Sequence, residues 1–541
     1  MNNSEKIIAV LLGLVLAGYL YFEFSGRKRA AEAEAPVAPA AAERQVRPVV
    51  RPQAAPAPRA SAVFASAEQT AVLENDELLL VLTTHGGAVK SATLKQYARD
   101  CGAIGDQNPA YRFDFAASPL GSMGVEFDTV EVSGNTAVFA RGDLVRTVEL
   151  VSGYRVVFED SAVEGYARLN LGAVAMGASK NDLLSVDAWE LGGKKPHVVH
   201  YSETEPLKGY LAGAVGGCSG ASDATGMPRF TPEIPVAGNF SWVALKNRFF
   251  VAALCDSTAE VAGFSATVER DLASGKYRPK TVAGTVTLGE AKGPVRNVFF
   301  VGPKKQALLS ELGMRDVMEF GMWRWICYPL VWVLNLFHGW VPSYGVAIIL
   351  LTVLVRLLFW PLTHKSTVGM KKMQEIQPLM KEIQTKYKDN PQRLQQETMK
   401  LYREHKVNPL SSCLPMLIQI PVFIALFNVL RSAVELRYAG FLWIPDLSEP
   451  EGLFAAYLPF GGLNILPILM AATMALQSAL TPQAGDKSQQ RMMMVMMPVM
   501  MLVMFYNFPS ALSLYWTLSQ VLSIVQMYLI RRKANLATQA K

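Results

Sequence analysis

The chain has few of the residues that build enzyme active sites and metal centres. Its 541 residues include five cysteines and six histidines, and no two cysteines form a CxxC pair or a metal-ligand spacing. The sequence also lacks a Ser/His/Asp set, paired carboxylates and a phosphate-binding glycine loop. These absences argue against catalysis and against nucleotide-driven transport. We therefore predict that the protein is not an enzyme and needs no cofactor or metal.

The cysteines also set limits on disulfides. Cys101, Cys218 and Cys255 lie in the polar half of the chain, whereas Cys327 and Cys413 lie at the start of apolar segments. An odd number in the polar half excludes a complete disulfide framework but leaves one pair open. His197 and His200, in KPHVVHY, match no metal or acid–base spacing and are predicted to be ordinary strand or surface residues.

Apolar residues are abundant, and their distribution is uneven. The mean hydropathy is +0.19, and nearly all the long apolar runs lie within residues 323–530. This pattern indicates a membrane protein with a separate soluble part. The net charge of +7 comes from basic residues that flank apolar runs, so the positive-inside rule explains it better than nucleic-acid binding does.

The first three hundred residues divide into three parts. Residues 1–24 contain the uncharged run Ile7–Phe22 with no cysteine nearby, which favours an uncleaved signal-anchor helix over a lipoprotein signal. Residues 25–62 are rich in Ala and Pro and predict a disordered linker. Residues 63–310 contain short apolar strands separated by Gly, Asp and Asn, the pattern of an all-β sandwich domain.

A tryptophan-rich segment and a charged apolar span follow. Residues 311–340 are predicted to form an interfacial amphipathic helix. Residues 341–363 form the second transmembrane helix, with Arg356 as its one charge. A central arginine costs roughly 2.5–3.5 kcal/mol on insertion scales. Position alone leaves two explanations open: a snorkelling or helix-pairing arginine, and a working polar cavity.

Residues 364–411 are strongly basic, with ten Lys/Arg against five Asp/Glu. Apolar residues at helical spacing from Met370 to Tyr387 predict one helix, and Asn390-Pro391 predicts the start of a second that runs to about Lys406. The excess of positive charge places this helical hairpin in the cytoplasm. Charge alone does not distinguish a plain loop from a docking surface for ribosome, translocase or lipid. The docking candidates are Lys371, Lys372, Lys381, Lys386, Arg393 and Arg403.

The rest of the chain predicts four further spans. Met492–Ile530 is an uncharged run of 39 residues, about 58 Å as one helix and too long for one crossing, and Asn507–Ser510 divides it. Parity then places both termini in the cytoplasm and the large domain on the outer side of a membrane crossed six times. The remaining segments are transmembrane helix 3 (412–434), an outer loop (435–460), transmembrane helix 4 (461–482), a cytoplasmic loop (483–491), transmembrane helix 5 (492–507), transmembrane helix 6 (511–530) and a basic cytoplasmic tail (531–541).

Polar residues within the spans are the candidates for function. Thr352 and Arg356 are four residues apart and share one helix face. Met492–Met504 contains eight methionines, which fit either ordinary packing or an adaptable apolar surface for varied helices. The other polar residues, each explicable as a helix-packing hydrogen bond, are Gln419, Asn428, Gln477, Ser519 and Gln520.

Several motifs in this half of the chain resemble one family. The runs TVLVRLLFWPLTHKS, EHKVNPLSSCLPMLIQIPVFIALF, LWIPDLS, MMPVMM and FPSALSLYW are similar in order and spacing to the YidC/Oxa1/Alb3 membrane protein insertases. The signal anchor and large outer domain resemble the Gram-negative YidC arrangement, whose outer domain is a β-supersandwich. The resemblance implies a polytopic α-helical membrane protein with six spans, a five-helix insertase core and an all-β periplasmic domain.

The resemblance also implies a mechanism. A hydrophilic groove open to cytoplasm and lipid would receive the polar tail of a nascent protein, and the family's groove positions match Arg356, Thr352, Gln419, Tyr515 and Trp516. The substrate helix would leave along an apolar slide near Leu426, Met500, Met501 and Met504. The implied partners are nascent membrane proteins, the ribosome, the Sec translocase and membrane lipids. Two rival classes stay open: a channel or transporter with Arg356 as anion site, and a carbohydrate-active outer domain on a passive anchor.

Overall fold

The computed structural model describes residues 67–98, 112–176, 184–193, 196–201, 230–273, 276–388, 390–405, 407, 414–454, 462–480 and 487–539. The predicted signal anchor and the Ala/Pro-rich linker lie outside these residues. The described residues form two compact units, one ending at Met318 and the other beginning at Glu319.

The first unit is built from antiparallel β-sheet. β1–β4 form one sheet in that order, and the other sheet has the order β10-β9-β11-β12-β14-β8-β7-β6-β5, with β13 pairing β11 and β14. Its strands are β1 (Thr70–Glu74), β2 (Leu78–Thr83), β3 (Ala88–Leu94), β4 (Arg112–Asp114), β5 (Thr129–Ser133), β6 (Thr136–Arg141), β7 (Leu144–Val151), β8 (Arg155–Ala175), β9 (Leu184–Glu190), β10 (His197–Tyr201), β11 (Phe230–Lys246), β12 (Phe250–Ser257), β13 (Val261–Ala273) and β14 (Lys276–Pro303).

The two sheets pack face to face, as the predicted sandwich requires. Phe113 of the small sheet meets Phe250 of the large sheet edge to face, with ring centroids 6.3 Å apart. Alternate residues of β2 face this core, so Leu78, Leu80 and Leu82 are fully buried. The prediction of an all-β domain is confirmed.

The β unit extends further along the chain than predicted. After helix α1 (Lys95–Ala98) in the small sheet, a second helix, α2 (Gln306–Glu311), and a 3-10 turn (Arg315–Met318) follow the last strand. Val317 is fully buried, and its carbonyl oxygen accepts a 2.9 Å hydrogen bond from Lys246 Nζ. The β unit therefore ends at Met318 rather than at the predicted boundary of residue 310, because the segment up to Met318 packs back on the sheet.

The second unit is helical. Its helices are α3 (Arg324–Trp340), α4 (Tyr344–Glu375), α5 (Gln377–Lys386), α6 (Pro391–Glu404), α7 (Leu414–Ser432), α8 (Ile465–Leu480), α9 (Lys487–Phe505) and α10 (Ser510–Gln539). The predicted break at Asn507–Ser510 is confirmed between α9 and α10. The predicted start of the Asn390 helix is also confirmed, since the Asn390 side chain accepts a 3.1 Å bond from the backbone N–H of Arg393.

Three boundaries of the helical unit differ from the prediction. The interfacial helix begins at Arg324 rather than at residue 311. α4 does not end at residue 363 but continues to Glu375, and it stops just before Gln377-Pro378, where proline removes a backbone donor and clashes with the preceding turn. The first arm of the basic hairpin is therefore two helices. The backbone of α10 stays helical to Gln539, so the predicted tail begins as helix.

Among the described residues, Tyr344–His364 is the one helical segment long and apolar enough to cross a bilayer by length and composition. Three other apolar segments are shorter: Gln419–Ser432, Ile465–Leu480 and Met494–Phe505. The number of spans accordingly stays a prediction.

Candidate functional site: a polar seam between α4, α7 and α10

Arg356 lies in the middle of the apolar part of α4 and is only partly exposed. Its guanidinium donates twice to the Ser519 hydroxyl oxygen on α10, from Nε at 2.9 Å and from Nη2 at 2.5 Å. Within the described part of the chain no carboxylate pairs with this arginine. The charge is therefore held by a neutral partner, and three of the five guanidinium N–H groups have no protein acceptor among the described residues.

A second polar contact joins the same two helices. Gln526 Nε2 donates to Thr363 Oγ1 at 2.7 Å. Arg356 and Ser519 are 163 residues apart in the chain, and so are Thr363 and Gln526. An equal offset at two points seven residues apart means that α4 and α10 run parallel with a heptad-like register. We refer to this line of contacts as the α4–α10 seam.

Thr352 and Tyr515 occupy the next position of the seam by the same offset, and both are fully buried. The Thr352 hydroxyl donates to the Ile348 carbonyl within its own helix at 2.7 Å, as threonine in helices commonly does. The Tyr515 hydroxyl accepts a 3.0 Å hydrogen bond from Gln419 Nε2 on α7. The predicted groove residues Arg356, Gln419 and Tyr515 thus line a junction of three helices, whereas Thr352 lies behind it as a packing residue.

Trp516 faces an aromatic cluster that pattern analysis missed. Its ring meets Phe423 edge to face at 4.7 Å and Phe505 at 5.5 Å. The indole Nε1 is buried and has no hydrogen-bond partner among the described residues. An unpaired buried N–H costs about 1–3 kcal/mol, so this donor is an uncompensated polar group within the aromatic cluster. Ser519 is the second residue of the site that the sequence did not identify. The sequence marked it only as a polar residue within a span, and spacing along the chain could not show that it contacts Arg356.

The four residues predicted to form the substrate slide do not share one surface. Met500 and Met504 on α9 are about half exposed, at 52% and 50%, and Met501 is partly exposed. Leu426 on α7 is completely buried. Helix packing covers that face of α7 in this structure, and the part of Leu426 in the slide stays a prediction.

The basic hairpin presents its charges outward. Lys372, Lys381, Lys386, Arg393 and Arg403 are all exposed, and the side chain of Lys371 lies outside the described residues. The hairpin has a small apolar core of its own, which consists of Met373, Ile376, Leu401 and Val407. Stable packing beneath an exposed basic surface fits a docking element as well as a plain loop.

Comparisons with known proteins cover nearly the whole chain. The family model of the 60Kd inner membrane protein matches residues 336–538, and that of the YidC periplasmic domain matches residues 233–333. The membrane protein insertase YidC of Pelobacter propionicus is 34% identical over 98% of this chain and 100% of its own length. The YidC of Syntrophus aciditrophicus is 33% identical over 86% of each chain.

The chain belongs to the YidC membrane protein insertase family.

Other relatives differ in coverage. The insertase YidC of Syntrophobacter fumaroxidans is 43% identical, but over only 54% of each chain. The crystal structure of an active YidC insertase with its first transmembrane domain resolved is 19% identical, covers 86% of this chain and 93% of its own, and has a TM-score of 0.38. That score is too low to add to the assignment, which rests on sequence. Membership confirms the resemblance drawn from the motifs, and it makes the protein a non-enzymatic member of an inner-membrane family.

Proposed function

We propose that this protein inserts and folds nascent inner-membrane proteins through a positively charged hydrophilic groove, alone or with the Sec translocase. Family membership supports the insertase activity. The groove would lie at the junction of α4, α7 and α10, which contains Arg356, Gln419 and Tyr515; Trp516 is the next residue of α10.

The main observation in support of the groove is that the partner of Arg356 is neutral. An arginine kept in the membrane only for structure is expected to pair with a carboxylate, since an unpaired charge in low dielectric is costly. Here the guanidinium contacts the Ser519 hydroxyl and no acidic group within the described chain. Its positive charge stays available for an acidic ligand. A hydrophilic, acidic tail of a nascent protein has the complementary charge.

The apolar part of a substrate would leave along α9. Val503 is 74% exposed, and Met500 and Met504 lie on the same face with half of their surface accessible. Methionine side chains adapt to partners of different shape, which suits varied substrate helices. Transfer of an acidic tail outward would be driven by hydrophobic partition of the attached helix and by the membrane potential, worth about 2.3 kcal/mol per charge per 100 mV.

The topology that fits this mechanism has six spans, with both termini in the cytoplasm and the β unit in the periplasm. The exposed basic hairpin would dock the ribosome, the Sec translocase or anionic lipid headgroups.

Site-specific photocrosslinking to ribosome-bound nascent chains tests the groove. A photoreactive residue at Gln419 or Trp516 should crosslink to a nascent chain during insertion. The matched control is Val429, which lies on the same helix as Gln419 but is fully buried, and should give no adduct. Equal crosslinking from all three positions, or none from Gln419 and Trp516 in a stably expressed protein, contradicts the proposed groove.

Charge variants of Arg356 separate the proposal from its rivals. If the positive charge attracts acidic tails, Arg356→Lys should insert such substrates better than Arg356→Met, and Arg356→Glu should be the poorest. A substrate with a neutral tail should show little difference between these variants. An anion channel would instead show substrate-dependent flux in proteoliposomes that Arg356→Met abolishes.

A further inference from the structure

The loop between α7 and α8 ends in an apolar tip. Residues 441–444 form a tight turn closed by two backbone bonds of 2.9 Å, from Phe441 N–H to the Ile444 oxygen and from Ile444 N–H to the Phe441 oxygen. The two residues at the turn are Leu442, 75% exposed, and Trp443, 43% exposed. A turn of this kind normally carries glycine or a polar residue at its first position, so a bare leucine there is unexpected.

The backbone of this loop is strained. Leu442 has φ 53°, in the left-handed region where a bulky side chain is an outlier. Of five non-glycine residues with positive φ in the described chain, Tyr438, Leu442 and Phe454 belong to this one loop. Strain of this kind is retained where the surrounding structure enforces it, and it concentrates at functional sites.

A polar network holds the strained backbone of this loop in place. Arg437 contacts Asp446 Oδ2 at 3.3 Å and Glu449 Oε1 at 2.6 Å. Glu451 accepts a 3.0 Å hydrogen bond from the Trp443 indole, and it also accepts from the first backbone N–H groups of α8. The apolar tip is therefore held rigidly, with its polar indole edge satisfied and its hydrocarbon exposed.

The tip lies beside the beginning of the membrane helix α4. The Phe441 ring packs so closely on Gly345 that a Cβ at that glycine would collide with it. Gly345 is the second residue of the apolar segment Tyr344–His364. The adjacent Leu442 and Trp443 thus lie at the depth where that segment begins, which is the boundary between hydrocarbon and water. Tryptophan is enriched at this boundary, because its ring is apolar and its N–H is polar.

We propose that Leu442, Trp443 and Phe454 form an interfacial anchor that inserts into the phospholipid layer at the N-terminal end of α4. Phe454 is 66% exposed. The residue before it, Leu453, pairs with Leu463, which lies two residues before the start of α8. A lipid surface is the partner of matching chemistry because the tip continues the apolar surface of the span. The anchor would fix the depth of α4 and α8, and with it the depth of the groove.

A photoreactive residue at Leu442 or Phe454, in the full-length protein reconstituted in phospholipid vesicles, tests this assignment. Phospholipid adducts at both positions, detected by mass spectrometry, are expected. Val132 of β5, an exposed apolar residue (47%) of the other unit, is the control and should give none. Adducts to another protein or to a second copy of this chain, or no lipid adduct at either position, would overturn the anchor.

A second measurement does not depend on inserting a bulky group. Brominated lipids should quench the Trp443 fluorescence, isolated as the difference between the wild type and Trp443→Phe. Leu442→Asn should reduce this quenching, because asparagine tolerates the left-handed backbone but removes the apolar side chain. Leu442→Gly also removes the apolar side chain and relieves the backbone strain completely, so it should reduce the quenching of Trp443 to the same extent. Unchanged quenching in both variants would refute a role for Leu442 in the membrane.

Discussion

Arg146 of β7 is completely buried in the β unit, and its loss or the loss of its partner should destabilise that unit strongly. Its Nε and Nη2 donate to the two carboxylate oxygens of Asp160 on β8, at 2.6 and 3.0 Å. Its Nη1 donates to the carbonyls of Gly86, Gly87 and Gly121, at 2.9, 3.1 and 2.7 Å. One guanidinium thus ties the large sheet to the turn that joins β2 and β3.

The cost of breaking this pair follows from the burial. Asp160→Asn keeps the shape but leaves the guanidinium without a counter-charge in a dry site, which costs about 3–5 kcal/mol. For a domain of this size, each kcal/mol lowers the melting temperature by about 2–4 °C, so the expected shift is roughly 6–20 °C. The preceding residue supplies the control. Glu159 pairs with Arg296 at 3.3 Å on the exposed face, and exposed pairs contribute only about 0–1 kcal/mol.

Thermal unfolding can be followed by alkylation of Cys255, whose thiol lies within the same sheet on β12. The full-length protein is heated, pulsed with a thiol reagent and analysed by mass spectrometry for modified Cys255. Asp160→Asn should expose Cys255 at a clearly lower temperature than wild type, and Glu159→Gln should not. Equal transitions for the two neighbouring substitutions would refute the argument from burial.

Three further predictions address other parts of the molecule. Thr363→Val should loosen the α4–α10 seam and lower insertion activity, because it leaves Gln526 Nε2 with only its 3.4 Å contact to the Trp360 oxygen. Adding Gln526→Leu should recover part of the loss, since the poorly paired amide is then removed. An insertion assay in proteoliposomes measures this, and a double variant poorer than Thr363→Val alone would contradict it. Burial raises the pKa of the Cys255 thiol. The native protein should therefore resist alkylation at Cys255 between pH 7 and pH 9, because the thiolate is the reactive form. Fast labelling of Cys255 in the folded state would contradict this prediction. The hydrogen bond from Lys90 lowers the pKa of Glu68 below its ordinary value of 4.5. Lys90→Gln should therefore reduce the free energy of unfolding above about pH 4.5, and the reduction should shrink as the pH falls. Denaturant titrations in which wild type and variant differ by the same free energy at every pH would exclude this coupling between Lys90 and Glu68.

The local features of the chain were readable from its sequence. The apolar span with its arginine, the start of a helix at Asn390-Pro391 and the break at Asn507–Ser510 each depend on residues within a few positions of one another. Short apolar runs bounded by turn residues likewise predicted strands such as β2. Where the prediction of α4 failed, the cause was also local: Pro378, not the end of the apolar run, stops the helix region.

Residues close together in the chain were enough to indicate the class of protein and a charge within an apolar segment, and the motifs indicated the family. The contact of that charge with Ser519, 163 residues away, became visible only in the fold, as did the burial of Thr352 and Leu426 and the exposure of Leu442. Periodicity reports which face of a helix is apolar, but it does not report which helix covers that face. That choice depends on the register between distant segments, which close packing sets and a one-dimensional pattern does not contain.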